Sequence, residues 1–226
     1  PLHGVRLPSF KIEDRYINEL ALPADISTYD FLRELCLIRF AHLGLDKGKS
    51  KKVYVDRIKY ELEILSELNF VEYILLVWKV VSYCRENDIP LGLGRGSAAG
   101  SMVLYLLQIT QIDPVKYGLF FERFVSKARA KKKVVNGITY LDGSLMCDVD
   151  IDVCYYRRAE VLRYLEKEFK GSTSKILTLN KLSGKLVMKE CGKVVGGKEE
   201  SEMNAVSALI PKVFGQVMDI KETYTE

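Results

Sequence analysis

Six consecutive residues, 148–153, alternate strictly between aspartate and an aliphatic side chain. In an extended strand successive side chains point to opposite faces, so Asp148, Asp150 and Asp152 share one face. Three neighbouring carboxylates repel one another unless cations or other positive groups neutralise them. The pattern therefore predicts a strand with one buried apolar face and one acidic face.

The acidic face suits a hard divalent cation. Mg²⁺ is commonly held by one or two carboxylates together with substrate phosphates. Asp148 and Asp150 are the candidate metal ligands, and whether Asp152 also touches a metal stays open. The alternative interpretation is an exposed edge strand that uses its charge to prevent aggregation.

A glycine-rich segment, residues 92–100, precedes an apolar helical pattern. Its glycines let the backbone approach a ligand, and Ser97 is a favourable helix N-cap. The free N–H groups of the next helix and the Arg95 charge predict a phosphate site at Arg95, Gly96 and Ser97. The sequence lacks the lysine of a Walker A loop and the second strand of a dinucleotide fold. A capped turn without a ligand is the alternative.

Together, the two segments indicate two-metal phosphoryl or nucleotidyl transfer. The expected cofactor is two Mg²⁺ ions, with Mn²⁺ as the alternative ion. One ion would activate an attacking hydroxyl, and the other would neutralise a triphosphate and its leaving pyrophosphate.

Hydrophobic periodicity predicts helices in the first half of the chain and again after the aspartates. The dipeptide Asn136-Gly137 between two β-prone runs predicts a hairpin. The predicted helices are residues 27–42 with Phe31, Leu35, Leu37/Ile38 and Ala41 as the apolar stripe, a helix with Val55, Ile58, Leu62 and Leu65 on one face, residues 71–86, and residues 157–169.

Composition narrows the class of protein. Five cysteines without C-x-x-C spacing argue against a disulfide framework or zinc site and favour a reducing cytoplasm. No apolar run approaches the roughly 20 residues of a membrane span, so no membrane association is expected. The net charge of +4 combines 11 basic and 4 acidic residues within 157–198 (+7) with 23 basic and 26 acidic elsewhere (−3). The local excess predicts nucleic-acid binding, with a solvated helical face as the alternative.

Several motifs follow one another in a characteristic order across residues 61–153. They are Phe70-x-x-Tyr73, Val77-Trp78, Gly94-Arg95-Gly96-Ser97-Ala98-Ala99-Gly100-Ser101, Ile112-Asp113-Pro114, Phe121-Glu122-Arg123-Phe124 and Asp148-x-Asp150-x-Asp152. This region resembles the palm of bacterial C-family replicative DNA polymerases, the alpha subunits of DNA polymerase III. Weaker similarity to the thumb of that family extends beyond residue 157.

The resemblance implies an α+β fold: a polymerase-β-like nucleotidyltransferase palm, with a mixed sheet packed on helices, followed by a mainly helical thumb. The expected domains are an extended lead-in at 1–24, a palm-like domain at 25–156 with a hairpin insertion near 126–145, and a basic thumb-like region at 157–226.

The resemblance also implies roles for the candidate residues. Arg95, Gly96 and Ser97 would contact the triphosphate of the incoming nucleotide. Asp148 and Asp150 would bind the metal ions that serve attack of the primer 3′-hydroxyl on the α-phosphate. The activity implied is template-directed DNA polymerisation in replication.

The implied partners are primer–template DNA and dNTPs, together with a sliding clamp and other replisome subunits in the parent protein. Lys185 and Lys193, on the thumb, would contact duplex DNA. The expected location is the cytoplasm. Two alternatives stay open: a nucleic-acid-binding module without catalysis, and a template-independent nucleotidyltransferase.

The chain departs from the family pattern in several places. Cys147 replaces the usual proline before the first aspartate, the link between Phe124 and the aspartates is longer, and residues 178–181 lack the usual aromatic and glycine. A divergent member, such as one carried by a phage, would account for the longer link. The third catalytic carboxylate of the family is expected beyond residue 226. We therefore expect a fragment with little or no primer extension by itself.

Overall fold

The computed structural model describes residues 9–125, 132–135, 138–141, 147–175, 177, 179, 181–213 and 216–225. The chain divides into two compact units, with the boundary between Thr173 and Ser174. Among the helices described, none has both the length and the apolar character needed to cross a membrane.

Helices dominate both units. The α-helices of the first unit are α1 (Asp14–Glu19), α2 (Thr28–His42), α3 (Lys51–Glu67), α4 (Val71–Glu86), α5 (Met102–Leu106) and α6 (Arg158–Glu168). Those of the second unit are α7 (Gly184–Val194), α8 (Glu200–Ala208) and α9 (Ile220–Thr225). Short 3₁₀ turns occur at Gly96–Gly100, Phe121–Arg123 and Tyr155–Arg157.

The predicted helices are confirmed as α2, α3, α4 and α6, and α4 has the predicted bounds. Local signals explain this agreement. The Ser27 hydroxyl accepts a hydrogen bond from the N–H of Asp30 at 3.0 Å, which caps α2 at the expected residue.

The main core lies between α2, α3, α4 and α5. Its fully buried side chains include Phe31, Leu65, Ile74 and Leu104. The rings of Phe31 and Trp78 meet edge to face with centroids 5.6 Å apart. Such aromatic contacts add to the burial of large apolar surfaces.

The apolar stripe predicted for α2 is partly wrong. Leu37 and Ile38 are each 45% exposed, whereas Cys36 and Phe40 are buried. Because α2 carries apolar residues on several sides, its periodicity does not decide which face meets the core.

The predicted α+β fold with a mixed sheet is wrong. Within the described residues, strands form only two antiparallel pairs: β1 (Lys132–Val135) with β2 (Ile138–Leu141), and β3 (Lys212–Val213) with β4 (Gln216–Val217). These two small ribbons do not make a palm sheet packed on helices.

The predicted aspartate strand is also wrong as a paired strand. Residues 147–152 have no regular structure, and Val153 forms a single antiparallel bridge with Leu91. Gly94 and Gly96 have φ values of +109° and +63°, so the neighbouring segment turns away soon after this bridge. A longer ladder therefore does not form with that segment.

The predicted hairpin is confirmed by its two strands. Lys132 is opposite Leu141 and Val135 is opposite Ile138 in an antiparallel register. The Asn136-Gly137 turn itself lies outside the described residues.

In the second unit, α7 and α8 pack against each other. The Ser183 hydroxyl accepts a hydrogen bond from the N–H of Leu186 and caps α7. Gly192 makes the close packing of the two helices possible, because a Cβ there would overlap the side chain of Met203.

Candidate functional site

The aspartate segment keeps the predicted alternation although it is not a strand. Asp148, Asp150 and Asp152 are exposed. Val149 and Ile151, between them, pack against the main core. The apolar side chains therefore fix the segment to the first unit and direct the three carboxylates outward.

Tyr73 of α4 lies beneath this segment. Burial raises the pKa of Tyr73 to about 12, with smaller electrostatic contributions from Cys147, Asp148 and Asp150. A hydrogen bond with the backbone of Val149 opposes this rise. Tyr73 thus helps to place the aspartates, a role that the sequence analysis did not assign.

The glycine-rich turn runs alongside the aspartates. The N–H of Gly92 donates to the carbonyl oxygen of Asp152 at 2.9 Å. A Cβ on Gly92 would come within 2.9 Å of the Asp152 Cβ, so this close approach requires glycine. A Cβ on Gly96 would lie 4.0 Å from Oδ2 of Asp150. The two segments predicted to act together are therefore neighbours.

Arg95 connects the turn to the carboxylates. Its Nε lies 3.7 Å from Oδ2 of Asp150, and its Nη1 lies 3.2 Å from Oδ1 of Asp152. All three side chains are more than half exposed, so each ion pair stabilises the fold by less than about 1 kcal/mol. These contacts orient charge at the surface more than they hold the fold together.

Ser97 does not cap a helix, contrary to the prediction. It lies within the Gly96–Gly100 3₁₀ turn, and α5 begins only at Met102. Ser101 is the N-cap, and its hydroxyl accepts a hydrogen bond from the N–H of Leu104.

A buried carboxylate fills the N-terminus of α5. Glu61 of α3 accepts hydrogen bonds from the Ser101 hydroxyl at 2.7 Å, the Met102 N–H at 2.9 Å and the Val103 N–H at 3.0 Å. Burial raises the pKa of Glu61, and these donors together with Arg57 oppose the rise. The helix N–H groups that the sequence analysis offered to phosphate are thus already paired within the protein.

Arg57 extends this network to the outer segments. Its Nε donates to Glu61 at 2.6 Å, and its Nη2 donates to the carbonyls of Gly100 at 2.7 Å and Leu119 at 3.0 Å. The hydroxyl of Tyr60 donates to Glu122 at 2.7 Å. One face of α3 therefore positions both the glycine-rich turn and the segment around residue 120.

The role of this face was not predicted from the sequence, because the apolar stripe of α3 indicates a core helix and says nothing about its polar residues. A signal was present in the spacing of the polar side chains. Tyr54, Arg57 and Glu61 recur at helical spacing, and the Tyr54 hydroxyl donates to Asp113 at 2.7 Å.

An open cleft lies on the Ser97 side of the turn. A cavity of about 230 Å³ is lined by Gly96, Ser97, Phe120 and Arg123, among others. An adjoining cavity of about 630 Å³ is lined by Ser97, Phe120, Glu122 and Arg123. Arg123 therefore adds a second cation next to the predicted phosphate turn, and the sequence analysis had assigned it no role.

The predicted DNA-contacting lysines belong to the second unit. Lys185 and Lys193 lie on α7, with Lys189 between them at a spacing of four residues. Lys193 pairs with Glu190 at 3.1 Å, and this hydrogen bond raises the pKa of Lys193. Residues 174–198 contain six lysines and one glutamate, so the charge excess is concentrated in the segment that includes α7.

Comparison with known proteins agrees with the resemblance of the motifs. The family model described as "Bacterial DNA polymerase III alpha NTPase domain" matches residues 30–226. The chain belongs to this family.

Individual relatives from three bacteria carry the name DNA polymerase III subunit alpha. The Ureaplasma parvum protein is 35% identical over 199 residues, which are 81% of this chain and 19% of the relative. The Bacillus subtilis protein is 33% identical over 219 residues, which are 96% of this chain and 17% of the relative. The Aquifex aeolicus protein is 32% identical over 212 residues, which are 90% of this chain and 16% of the relative. The chain spans less than a fifth of the length of these relatives.

The acidic segment offers part of the ligand set that a divalent metal needs. The described part of the chain holds no group of three or more His, Cys, Asp or Glu side chains placed to bind one ion. Asp148 and Asp150 nevertheless offer exposed, hard carboxylate oxygens. Mg²⁺ typically takes only one or two carboxylates and completes its shell with water and phosphate oxygens. The donor chemistry therefore fits such an ion.

Proposed function

We propose that this chain is part of a DNA-directed DNA polymerase and contributes the surface that binds the phosphates of the incoming nucleotide and divalent metal ions. The reaction proposed is addition of deoxynucleotides from dNTPs to a primer 3′-hydroxyl by two-metal nucleotidyl transfer during DNA replication. The observation that carries the proposal is the contact of Arg95 with Asp150 and Asp152, which joins the phosphate turn to the acidic segment. Membership of the DNA polymerase III alpha family supports it.

The phosphates of a dNTP would lie along the glycine-rich turn. Gly96 offers an exposed backbone without a Cβ, and Ser97 offers a hydroxyl. Arg95 and Arg123 supply positive charge near this hydroxyl and the cleft beside it. Guanidinium groups bind phosphate oxygens through paired N–H donors, so both arginines suit this task.

Asp148 and Asp150 would hold the divalent ions. The chemistry that such ions supply when bound is activation of a hydroxyl and neutralisation of phosphate charge. Arg95 and a cation would compete for Asp150, since the guanidinium already lies 3.7 Å from that carboxylate. Arg95 would then be available to the phosphates.

Metal binding is the first test. In the Asp148→Asn/Asp150→Asn double variant, we expect the Mn²⁺ affinity of the 226-residue chain to fall at least tenfold, since both proposed carboxylate ligands become neutral amides. Mn²⁺ binding is measured directly by electron paramagnetic resonance of the free ion.

The matched control removes the same charge elsewhere. Asp56 and Glu63 are exposed on α3, and Asp56→Asn/Glu63→Gln should leave Mn²⁺ binding unchanged. Equal loss in both double variants would show that the ion responds only to overall charge, and the assignment of Asp148 and Asp150 would be wrong.

DNA binding is proposed for α7. In Lys185→Gln/Lys193→Gln we expect weaker binding of a primer–template duplex. The slope of log K against log salt should fall in magnitude by about 2, because two phosphate contacts are lost. Fluorescence anisotropy at several salt concentrations measures both quantities.

The control for this prediction is Lys47→Gln/Lys49→Gln, which removes two exposed lysines from the loop after α2. It should leave the salt slope unchanged. DNA affinity should also survive Asp148→Asn/Asp150→Asn, which separates DNA binding from metal binding.

We further propose that the polymerase acts in the cytoplasm with a sliding clamp and other replisome subunits.

A further inference from the structure

A small polar pocket lies beside Gly94 of the glycine-rich turn. Its volume is about 160 Å³. A Cβ on Gly94 would lie 3.0 Å from Thr110, and the N–H of Gln111 donates to the carbonyl of Leu93 at 2.8 Å, so the pocket adjoins the turn. Its polar lining is Arg39, Arg85, Tyr105, Gln108, Thr110 and Gln111.

Three polar atoms at this pocket have no hydrogen-bond partner within the described part of the chain. They are Nε of Arg39, Nε of Arg85 and Oγ1 of Thr110, and all three are buried. Thr110 is only 2% exposed. Buried polar groups are nearly always paired, so an unpaired set at one cavity suits a ligand that can accept hydrogen bonds from it.

The charge of the pocket indicates which kind of ligand would fit it. Two guanidinium groups line it, and no acidic side chain among the described residues does so. Burial lowers the pKa of Arg85, and the nearby positive charge of Arg39 lowers it further. Two like charges partly removed from water destabilise each other until an anion lies between them.

A purely structural role explains the position of Arg85 but not that of Arg39. Nη2 of Arg85 donates to the carbonyl of Gln108, just after α5, and so helps to end that helix. The Arg39 side chain has no ion-pair or hydrogen-bond partner among the residues that the structure describes, and its Nε is buried. Its position beside a second arginine remains unexplained by the fold.

We infer that this pocket binds a phosphate group, held by Arg39, Arg85 and Thr110. Guanidinium N–H groups and a hydroxyl are all hydrogen-bond donors to its oxygens. The pocket is smaller than the roughly 300–1,000 Å³ of sites for drug-sized ligands, so it suits inorganic phosphate or one terminal phosphate of a nucleotide. This inference is independent of the proposed triphosphate site at Arg95 and Ser97.

Isothermal titration of the 226-residue chain with inorganic phosphate, at constant ionic strength set with chloride, tests the inference. We expect saturable binding by the wild type and at least tenfold weaker binding by Arg39→Gln. Thr110→Val, which removes the hydroxyl at nearly constant volume, should also weaken binding. Arg39→Lys should bind less well than the wild type, because lysine keeps the charge but lacks the planar fork.

Two control variants locate the site. Arg33 lies on the same helix as Arg39, is exposed, and pairs with Asp30 at 2.8 Å. Arg33→Gln should bind phosphate as the wild type does. Arg95→Gln tests the neighbouring proposed triphosphate site: it should remove any phosphate bound at Arg95 and leave the Arg39-dependent binding in place. Phosphate binding lost in Arg95→Gln but kept in Arg39→Gln would overturn the inference, as would equal loss in Arg33→Gln and Arg39→Gln.

A melting experiment covers variants that fold poorly. Trp78 is the single tryptophan, and its fluorescence reports unfolding of the first unit. Phosphate should raise the melting temperature of the wild type and of Arg33→Gln, and should leave that of Thr110→Val nearly unchanged.

Isothermal titration with dATP identifies the source of the phosphate. Loss of dATP binding in Arg39→Gln indicates that a nucleotide phosphate enters the pocket, and unchanged dATP binding indicates that the pocket takes the free anion. No phosphate binding by the folded wild type would overturn the inference.

Discussion

Glu61→Ala is expected to destabilise the first unit by about 3–5 kcal/mol, because it leaves a buried cation and buried donors without their common acceptor. Arg57, only 21% exposed, loses its carboxylate partner. The Ser101 hydroxyl and the N–H groups of Met102 and Val103, all in fully buried residues, lose their hydrogen bonds. Urea unfolding followed by Trp78 fluorescence measures the change in the free energy of unfolding.

Glu61→Gln separates charge from shape. Glutamine keeps the volume and one acceptor oxygen, but its amide group places two donors next to other donors. It should therefore destabilise the unit less than alanine does. Glu63→Ala removes an exposed glutamate from the same helix and should change the free energy of unfolding by less than about 0.5 kcal/mol. If Glu61→Ala were as stable as Glu63→Ala, Glu61 would not hold α5 and the turn in place.

The helices could be predicted from the sequence because their signals are local. Ser27 caps α2, and the apolar residues of α4 recur with the period of one helix. The mixed sheet could not be predicted correctly, since strand pairing depends on where a distant segment runs. The aspartate segment alternates as a strand would, yet its neighbour leaves it after the bridge between Leu91 and Val153.

The candidate site likewise combines features with local signals in the sequence and contacts between distant segments. The alternation predicted that Asp148, Asp150 and Asp152 share a side opposite the aliphatic residues, but their exposure was the alternative interpretation. The role of Arg57 was not predicted, because the carbonyls that it binds are 43 and 62 residues away in the sequence. Nothing in the neighbourhood of Arg57 in the sequence shows that Gly100 and Leu119 come together there.

Gly100, the last glycine of the turn, packs closely against the backbone of Phe120. A Cβ on Gly100 would lie 2.6 Å from the carbonyl oxygen of Phe120 and 3.3 Å from its carbonyl carbon. Both obstructing atoms belong to the backbone, so they cannot move aside as a flexible side chain would. Arg57 holds both sides of this contact through the carbonyls of Gly100 and Leu119.

Gly100→Ala is therefore expected to destabilise the first unit by about 1–3 kcal/mol, the usual cost of forcing an extra methyl group into a packed site. Because Phe120 also lines the cleft beside Ser97, the same substitution should weaken dNTP binding by the 226-residue chain. Urea unfolding and nucleotide titration measure the two effects. Gly48→Ala is the matched control, since the nearest atom to its Cβ would be 3.9 Å away and the loop is exposed. If Gly100→Ala matched Gly48→Ala in both measurements, the turn and the Phe120 segment would not be in the close contact that shapes the proposed nucleotide site.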